Sequence, residues 1–182
     1  MNNFKEQSEI ALDLIDQSKR VAIIPSTPVD GDAVGSSLAL MLILRKLGKN
    51  PEIHYSFDRF NSLKFLPGAN EIKVTDLFAI DFSKFDMAVF LDGGSLGQFS
   101  DGKIHRETFN LPTNTPILNI DHHPSNNRWA KYMVWDPTAS SVGEIVHRMF
   151  VDKVEFDKDI ATNLFTAIST GTGHFQYTNP NK

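Results

Sequence analysis

No cysteine occurs anywhere in the 182 residues. That absence removes disulfides, thiolate nucleophiles and cysteine-based zinc sites in one step, so any metal must rest on Asp, Glu and His. Long apolar runs are missing too. No stretch approaches the roughly 18–20 residues that span a bilayer, and the opening Met1-Asn2-Asn3-Phe4-Lys5-Glu6 lacks the layout of a signal peptide. A cytoplasmic protein without a membrane partner is expected. The third absence is an excess of positive charge: 18 Lys and Arg face 22 Asp and Glu, for a net charge of −4. This argues against a broad basic surface for duplex DNA, while small phosphorylated ligands remain open through local charge. There is no internal repeat, low-complexity tract or long linker. With 41% hydrophobic and 22% charged residues the composition is that of a globular protein, and the length suits one domain of about 100–200 residues.

Read in order, residues 4–19 carry Phe4, Ile10, Ala11, Leu14 and Ile15 at helical spacing. Val21-Ala22-Ile23-Ile24-Pro25 is a short continuous apolar run, the form of a parallel strand covered on both faces. A polar loop over residues 26–37 then leads into the apolar helix Leu38-Ala39-Leu40-Met41-Leu42-Ile43-Leu44, stopped by Arg45, Lys46 and Gly48. Strand, loop and buried helix make a βα unit, and in open α/β sheets ligands bind at the carboxyl ends of the strands. Further strands are expected at Pro51–Tyr55, near Ile72–Val74, at Asp86–Leu91, at Pro116–Leu118 and at Lys131–Trp135. Ser141 and Glu144 have capping-box spacing for a helix, another helix runs from about Asp157 to Ser169, and residues 170–178 close the chain as a loop.

The chemistry concentrates where these strands end. Asn119-Ile120-Asp121-His122-His123-Pro124 sets a carboxylate beside imidazoles directly after an apolar run. Hard oxygens with borderline nitrogens suit Mn²⁺, Zn²⁺ or Fe²⁺ better than Ca²⁺. Asp92 ends a second such strand, and Asp30-Gly31-Asp32 follows the first. If that segment is extended, its two carboxylates point to one side; for the loop in isolation, an Asp-Gly turn with Asp32 capping the helix is the preferred reading. Acids at three strand ends can converge on one edge of a parallel sheet. His54 reads as a wall residue.

Taken together, these residues resemble the DHH-family phosphoesterases, in particular the N-terminal catalytic domain of the bacterial nanoRNase/pAp-phosphatase branch. The ordered motifs are Asp30-Gly31-Asp32-Ala33-Val34-Gly35-Ser36, Leu91-Asp92, Asp121-His122-His123, Asp136-Pro137-Thr138-Ala139-Ser140-Ser141 and Thr170-Gly171-Thr172-Gly173-His174-Phe175. The resemblance implies a parallel-sheet, Rossmann-like α/β domain with helices on both faces, spanning residues 1–182, without the smaller C-terminal substrate-binding domain of the DHHA1 type. It implies two Mn²⁺ ions ligated by Asp30, Asp32, Asp92 and His122, with Asp92 bridging, and catalytic support from Asp121 and His123. Ser36, Ser37 and Arg128, with Lys131 nearby, are expected to contact substrate phosphate. The implied activity is that of an oligoribonuclease or nucleotide phosphatase acting on short oligonucleotides or pAp-like nucleotides. A homodimer is compatible with it.

The chain departs from the family pattern in places that bear on metal binding. A family His is Ser26 here, a family Asp is Gly171, and the segment after Asp92 reads Ser95-Leu96-Gly97-Gln98 rather than carrying an acid and an Arg. Each ion is expected to lose a protein ligand, which leaves a degenerate binding protein without turnover as the alternative. Restoring both positions, Ser26→His with Gly171→Asp, is then expected to raise metal affinity and activity together. A dinucleotide-binding domain is disfavoured, because no Gly-x-Gly-x-x-Gly follows the first strand.

Overall fold

The apolar runs centred on Ile23, Ile53, Val89, Leu118 and Val134 pair into one sheet in which all the strands are parallel. The computed structural model describes residues 3–56, 61–100 and 114–176. Its elements are α1 (Phe4–Gln17), β1 (Arg20–Pro25), α2 (Gly31–Lys46), β2 (Asn50–Tyr55), β3 (Lys73–Val74), β4 (Met87–Leu91), β5 (Ile117–Asp121), β6 (Tyr132–Trp135), α3 (Val142–Phe150) and α4 (Lys158–Gly171). The strand order is β3-β2-β1-β4-β5-β6. The chain thus builds outward from β1 in one direction, returns to the centre, and builds outward from β4 in the other. The reversal between β1 and β4 leaves a crevice at their carboxyl ends, the place where open α/β sheets bind ligands.

The core explains why the central strands lack alternation. Val21, Ile23, Val89, Leu91, Leu118 and Ile120 face a cluster completed by the α-helices, whereas Ala22, Ile24, Ala88 and Phe90 face a second cluster. Both sides of the central strands are therefore dry. All four α-helices contribute to the first cluster. Among the described residues the second face is covered by 3₁₀ helices at Leu77–Ala79, Phe82–Lys84 and Leu96–Phe99 together with Trp129. Phe90 meets Phe99 edge-on at 4.9 Å and Trp129 at 5.2 Å, pairs worth about 0.5–1.5 kcal/mol each beyond their area.

Helix α2 is the central strut of the first face. It lies over β1 and β2 and packs extensively on α4, and Leu38, Leu40, Ile43 and Leu44 are fully buried, each contributing about 1.5–3 kcal/mol. It begins at Gly31 rather than after a loop running to Ser37. The reason is local: the Asp30 side chain accepts from Ala33 N at 2.8 Å and so caps the helix. Asp30, not Asp32, is the cap, and the extended Asp30–Asp32 geometry does not form. Helix α4 likewise runs on through Thr170 and Gly171 into a turn over residues 172–176; Tyr177 and Thr178 of the expected closing loop lie outside the described residues. At the far edge, Trp135 N of β6 donates to Gln7 Oε1 of α1 at 2.9 Å, which occupies a strand edge that would otherwise be open.

Candidate metal and phosphate site

The carboxyl ends of β1, β4 and β5 deliver their acids and imidazoles to one cavity of about 410 Å³, lined by Asp30, Asp32, Asp92, His122, His123, Pro124, Pro137, Ala139, Thr170 and Gly171. Asp92 follows β4 in the left-handed region, with φ 65°, a conformation that Asp tolerates better than most residues. It is 3% exposed, and its Oδ1 has no hydrogen-bond partner. Burial first, then the charges of Asp32, Asp30 and Asp121, hold its carboxyl well above the usual range.

Asp32 sits in the first turn of α2 and reaches across to α3. Its Oδ2 accepts from Val142 N at 2.8 Å and its Oδ1 from Gly143 N at 3.0 Å, donors that head α3 and have no partner within that helix. Desolvation outweighs those bonds and pushes Asp32 up to about 7. Ser141 caps the same helix by accepting from Glu144 N at 3.0 Å, while the Glu144 carboxylate turns back to Ser140 N.

The two histidines are held in different states. His122 Nδ1 lies 3.2 Å from the Ala139 carbonyl; a carbonyl can only accept, so Nδ1 carries the proton and Nε2 keeps its lone pair. Burial lowers the His122 pKa and keeps the ring neutral. Its Nε2 stands 3.6 Å from Asp92 Oδ1 and 3.8 Å from Asp32 Oδ2. His123 is held instead by a 2.7 Å bond from Nδ1 to Asp121 Oδ1, and that carboxylate raises its pKa. Asp121 is fully buried, and its Oδ2 accepts from Asn126 Nδ2 at 2.6 Å. Asn126 also donates to Asn119 Oδ1, and Asn119 donates onward to the Phe90 and Gly93 carbonyls. Close approach of this loop depends on Gly94, where an added Cβ would meet Asn126 Cα at 3.1 Å.

The structure thus brings Asp30, Asp32, Asp92, His122 and His123 together, with Asp121 behind His123. It does not bring in the expected phosphate contacts. Ser36 and Ser37 are fully buried within α2, and Ser36 Oγ donates to the Asp32 carbonyl at 2.6 Å; because the helix starts early, both hydroxyls lie inside the packing rather than at its mouth. Arg128 does not line the cavity. It is exposed, and its guanidinium lies 5.0 Å from the centroid of the Trp135 ring, while Lys131 lies over Tyr132. His54 does not line the cavity, so the expected wall position is not found; its ring is bonded to Thr75 and Glu52 instead. Asp136 is taken up by Thr138 and Arg148.

Sequence reasoning missed Asn119, Asn126 and Tyr55. The asparagines carried no motif, though Asn119 on an otherwise apolar strand was a visible anomaly. Tyr55 is fully buried at the end of β2, and burial with the nearby charges of Asp30 and Asp92 raises its pKa.

The donor set fits a divalent cation. Asp92 Oδ1 is a buried, unpartnered oxygen of a residue that lines the cavity with Asp30 and Asp32, and Asp92, His122 and His123 offer ligand atoms that all lie within 4.8 Å of one another. A cation there relieves both the desolvation and the mutual repulsion of the acids. Among the described residues no helix is long and apolar enough to cross a membrane.

Comparison with known proteins agrees with this geometry. Residues 20–172 match the model of the DHH family, N-terminal domain. The chain is 32% identical over 151 residues to the bifunctional oligoribonuclease and PAP phosphatase NrnA of Thermus thermophilus, covering 82% of this chain and 42% of that protein. It is 25% identical over 156 residues to the protein of the same name from Bacillus subtilis, covering 82% and 45%. A crystal structure of an exopolyphosphatase-related protein from Bacteroides fragilis superposes over 98% of this chain and 53% of that one, with a TM-score of 0.79 at 23% identity. The chain therefore spans less than half the length of these two NrnA relatives.

Proposed function

Since the chain belongs to the DHH family, we propose that its strand-end cluster is the centre of a cation-dependent phosphoesterase, acting on short oligonucleotides or on pAp-like nucleotide phosphates. The observation that carries this reading is the buried, unpartnered Asp92 Oδ1, set among Asp30, Asp32 and His122 at the head of an open cavity. The names of the two NrnA relatives support the substrate class. The proposed setting is the cytoplasm, and the proposed cation is Mn²⁺.

Asp32, Asp92 and His122 would hold the cation, with Asp30 beside them. When bound, it supplies Lewis-acid neutralisation of phosphate charge and a lowered pKa for a water in the cavity. The rest belongs to the protein. His123, oriented by Asp121 and favoured in its protonated form, presents Nε2–H to a phosphate oxygen or to the departing oxygen, a role worth about 10²–10⁴-fold in rate. Asn126, braced by Asn119, fixes Asp121 Oδ2 and leaves Oδ1 for His123, which holds the ring against rotation. Pro124, Pro137 and Ala139 form the apolar wall beside the reacting group.

The test is release of mononucleotide from a short oligoribonucleotide, and of phosphate from pAp, with Mn²⁺ and with EDTA, comparing wild type with Asp92→Asn. Cation-dependent turnover that Asp92→Asn abolishes is expected. A second reading, binding without turnover, is favoured by Ser26 and Gly171; ion binding with no hydrolysis of either substrate would select it.

A further inference from the structure

We propose that Trp135 is a positioning residue for His123, acting through the His123 backbone carbonyl, and that Arg128 is the latch that keeps the Trp135 ring in place. The proposal rests on the role given to His123 in the reading above. Asp121 Oδ1 fixes the His123 ring at Nδ1, but a bond to the side chain alone leaves the loop that carries it free to shift. The carbonyl supplies a second point of support. It accepts from Trp135 Nε1 at 2.9 Å and from Asn126 N at 3.1 Å, so both of its lone pairs are in use. Trp135 is itself anchored to the sheet. It stands opposite Asp121 in the register of β5 and β6, and its own N donates to Gln7 Oε1 of α1 at 2.9 Å.

Core filling does not explain this tryptophan. It is half-buried, and among the described residues neither apolar cluster includes it, whereas Trp129 packs against the second. Its ring is covered instead by Arg128, whose guanidinium carbon lies 5.0 Å from the ring centroid, within reach of a cation–π contact. Arg128 adopts φ 56°, a region that few residues other than Gly, Asn and Asp enter. Backbone strain of this kind persists only where the surroundings fix it. Two contacts do so here: the stack on Trp135 and the bond from Arg128 N to Asn126 Oδ1 at 2.7 Å. Asn126 Nδ2 in turn donates to Asp121 Oδ2, on the carboxylate that holds His123. The contacts therefore close a circuit from Asp121 through His123, Trp135, Arg128 and Asn126 back to Asp121. Neither Trp135 nor Arg128 lines the cavity, so what they control is the placing of His123 and not contact with the reacting group.

Kinetics of the full chain with Mn²⁺ and pAp, combined with NMR of the histidine rings in the metal-free chain, test this. Trp135→Phe keeps a ring under Arg128 and removes the N–H donor. It is expected to lower kcat by at least about 10-fold, against the roughly 10²-fold that a misplacement of about 1 Å costs, with KM and Mn²⁺ affinity within about 3-fold of wild type. Added to His123→Gln, the same change is expected to cost nothing further, because a residue that acts only through His123 has nothing left to place; additive losses overturn the proposal. Arg128→Asn removes the stack while tolerating the left-handed backbone, and is expected to lower kcat at unchanged KM. A raised KM with kcat intact makes Arg128 a substrate contact and overturns the latch. In the NMR spectra both variants are expected to shift or broaden the His123 ring signals and to leave those of His54 in place. Circular dichroism confirms that each variant is folded, and should Trp135→Phe fail there, Arg128→Asn at its exposed position carries the same readouts. Unmoved His123 signals overturn the proposal whether or not the chain turns over. Shifted signals alongside a wild-type chain without turnover remove the phosphoesterase reading and leave the positioning standing.

Discussion

Placing an acid at position 171 tests the packing behind the cluster directly. A Cβ there would lie 2.9 Å from Ser141 Cβ as well as 3.1 Å from Asp32 Oδ2. Neither neighbour can swing aside, because Ser141 is fully buried as the cap of α3 and Asp32 is held by two backbone donors. Helix α4 must therefore move, and overpacking of this kind costs about 1–3 kcal/mol. The new carboxylate also faces Asp32, a repulsion of ~4 kcal/mol at 4 Å with an effective dielectric of about 20, which protonation and side-chain rotation reduce. A net loss of about 3 kcal/mol in a domain this size lowers the melting midpoint by roughly 6–12 °C. Scanning calorimetry of Gly171→Asp in EDTA measures it, and Mn²⁺ titration of Ser26→His with Gly171→Asp shows whether a second ion enters. The packing at Gly171 reverses the expectation drawn from the motifs, that restoring both positions improves the site. An unchanged midpoint together with a second bound equivalent would refute the reasoning.

Asn126→Ala is expected to cost about 1–3 kcal/mol in denaturant unfolding, because it removes the donor that Asp121 Oδ2 and Asn119 Oδ1 share. His123→Gln is expected to lower phosphoester turnover by about 10²–10⁴-fold while calorimetric Mn²⁺ affinity stays near wild type; a matching loss of affinity would make His123 a ligand instead. In chelator, stability is expected to fall as pH rises from about 4 toward 7. Burial raises folded Asp32 to about 7 from an ordinary 3.8, so the folded state binds the extra proton in that window and the stabilisation is lost as pH climbs through it. Urea midpoints between pH 4 and 7 measure the slope, and Asp32→Asn should flatten it.

The strands and the edge they share were legible because doubly covered parallel strands are continuous apolar runs, and each of β1, β4 and β5 ends in or is followed by an acid. The start of α2 was not. Asp30 and Asp32 both have the chemistry of a cap, and only the fold shows that Asp30 caps its own helix while Asp32 caps another, 110 residues further along the chain. Ser36 and Ser37 looked like phosphate ligands for the same reason, since a helix start placed about two turns late exposes side chains that the real start buries. Gly171 read as a lost ligand. Its contacts with Asp32 and Ser141 are long-range and invisible to any local pattern.

Asp32 ties the fold to the site. Its bonds to Val142 and Gly143 join α2 to the head of α3, and the partial positive charge at that helix end favours a carboxylate there. That support does not offset burial, since Asp32 is still pushed up to about 7. A cation in the cavity would offset that remaining penalty. A bound cation would favour the charged form of Asp32, strengthen its hydrogen bonds to α3, and stabilise the folded chain by about 2.7 kcal/mol at a hundredfold excess over Kd. Removing such a cation would bear on the α2–α3 contact rather than on the strands, whose apolar packing does not involve Asp32. Chelation should therefore loosen amide exchange first at Val142 and Gly143, and leave β1 and β4 protected.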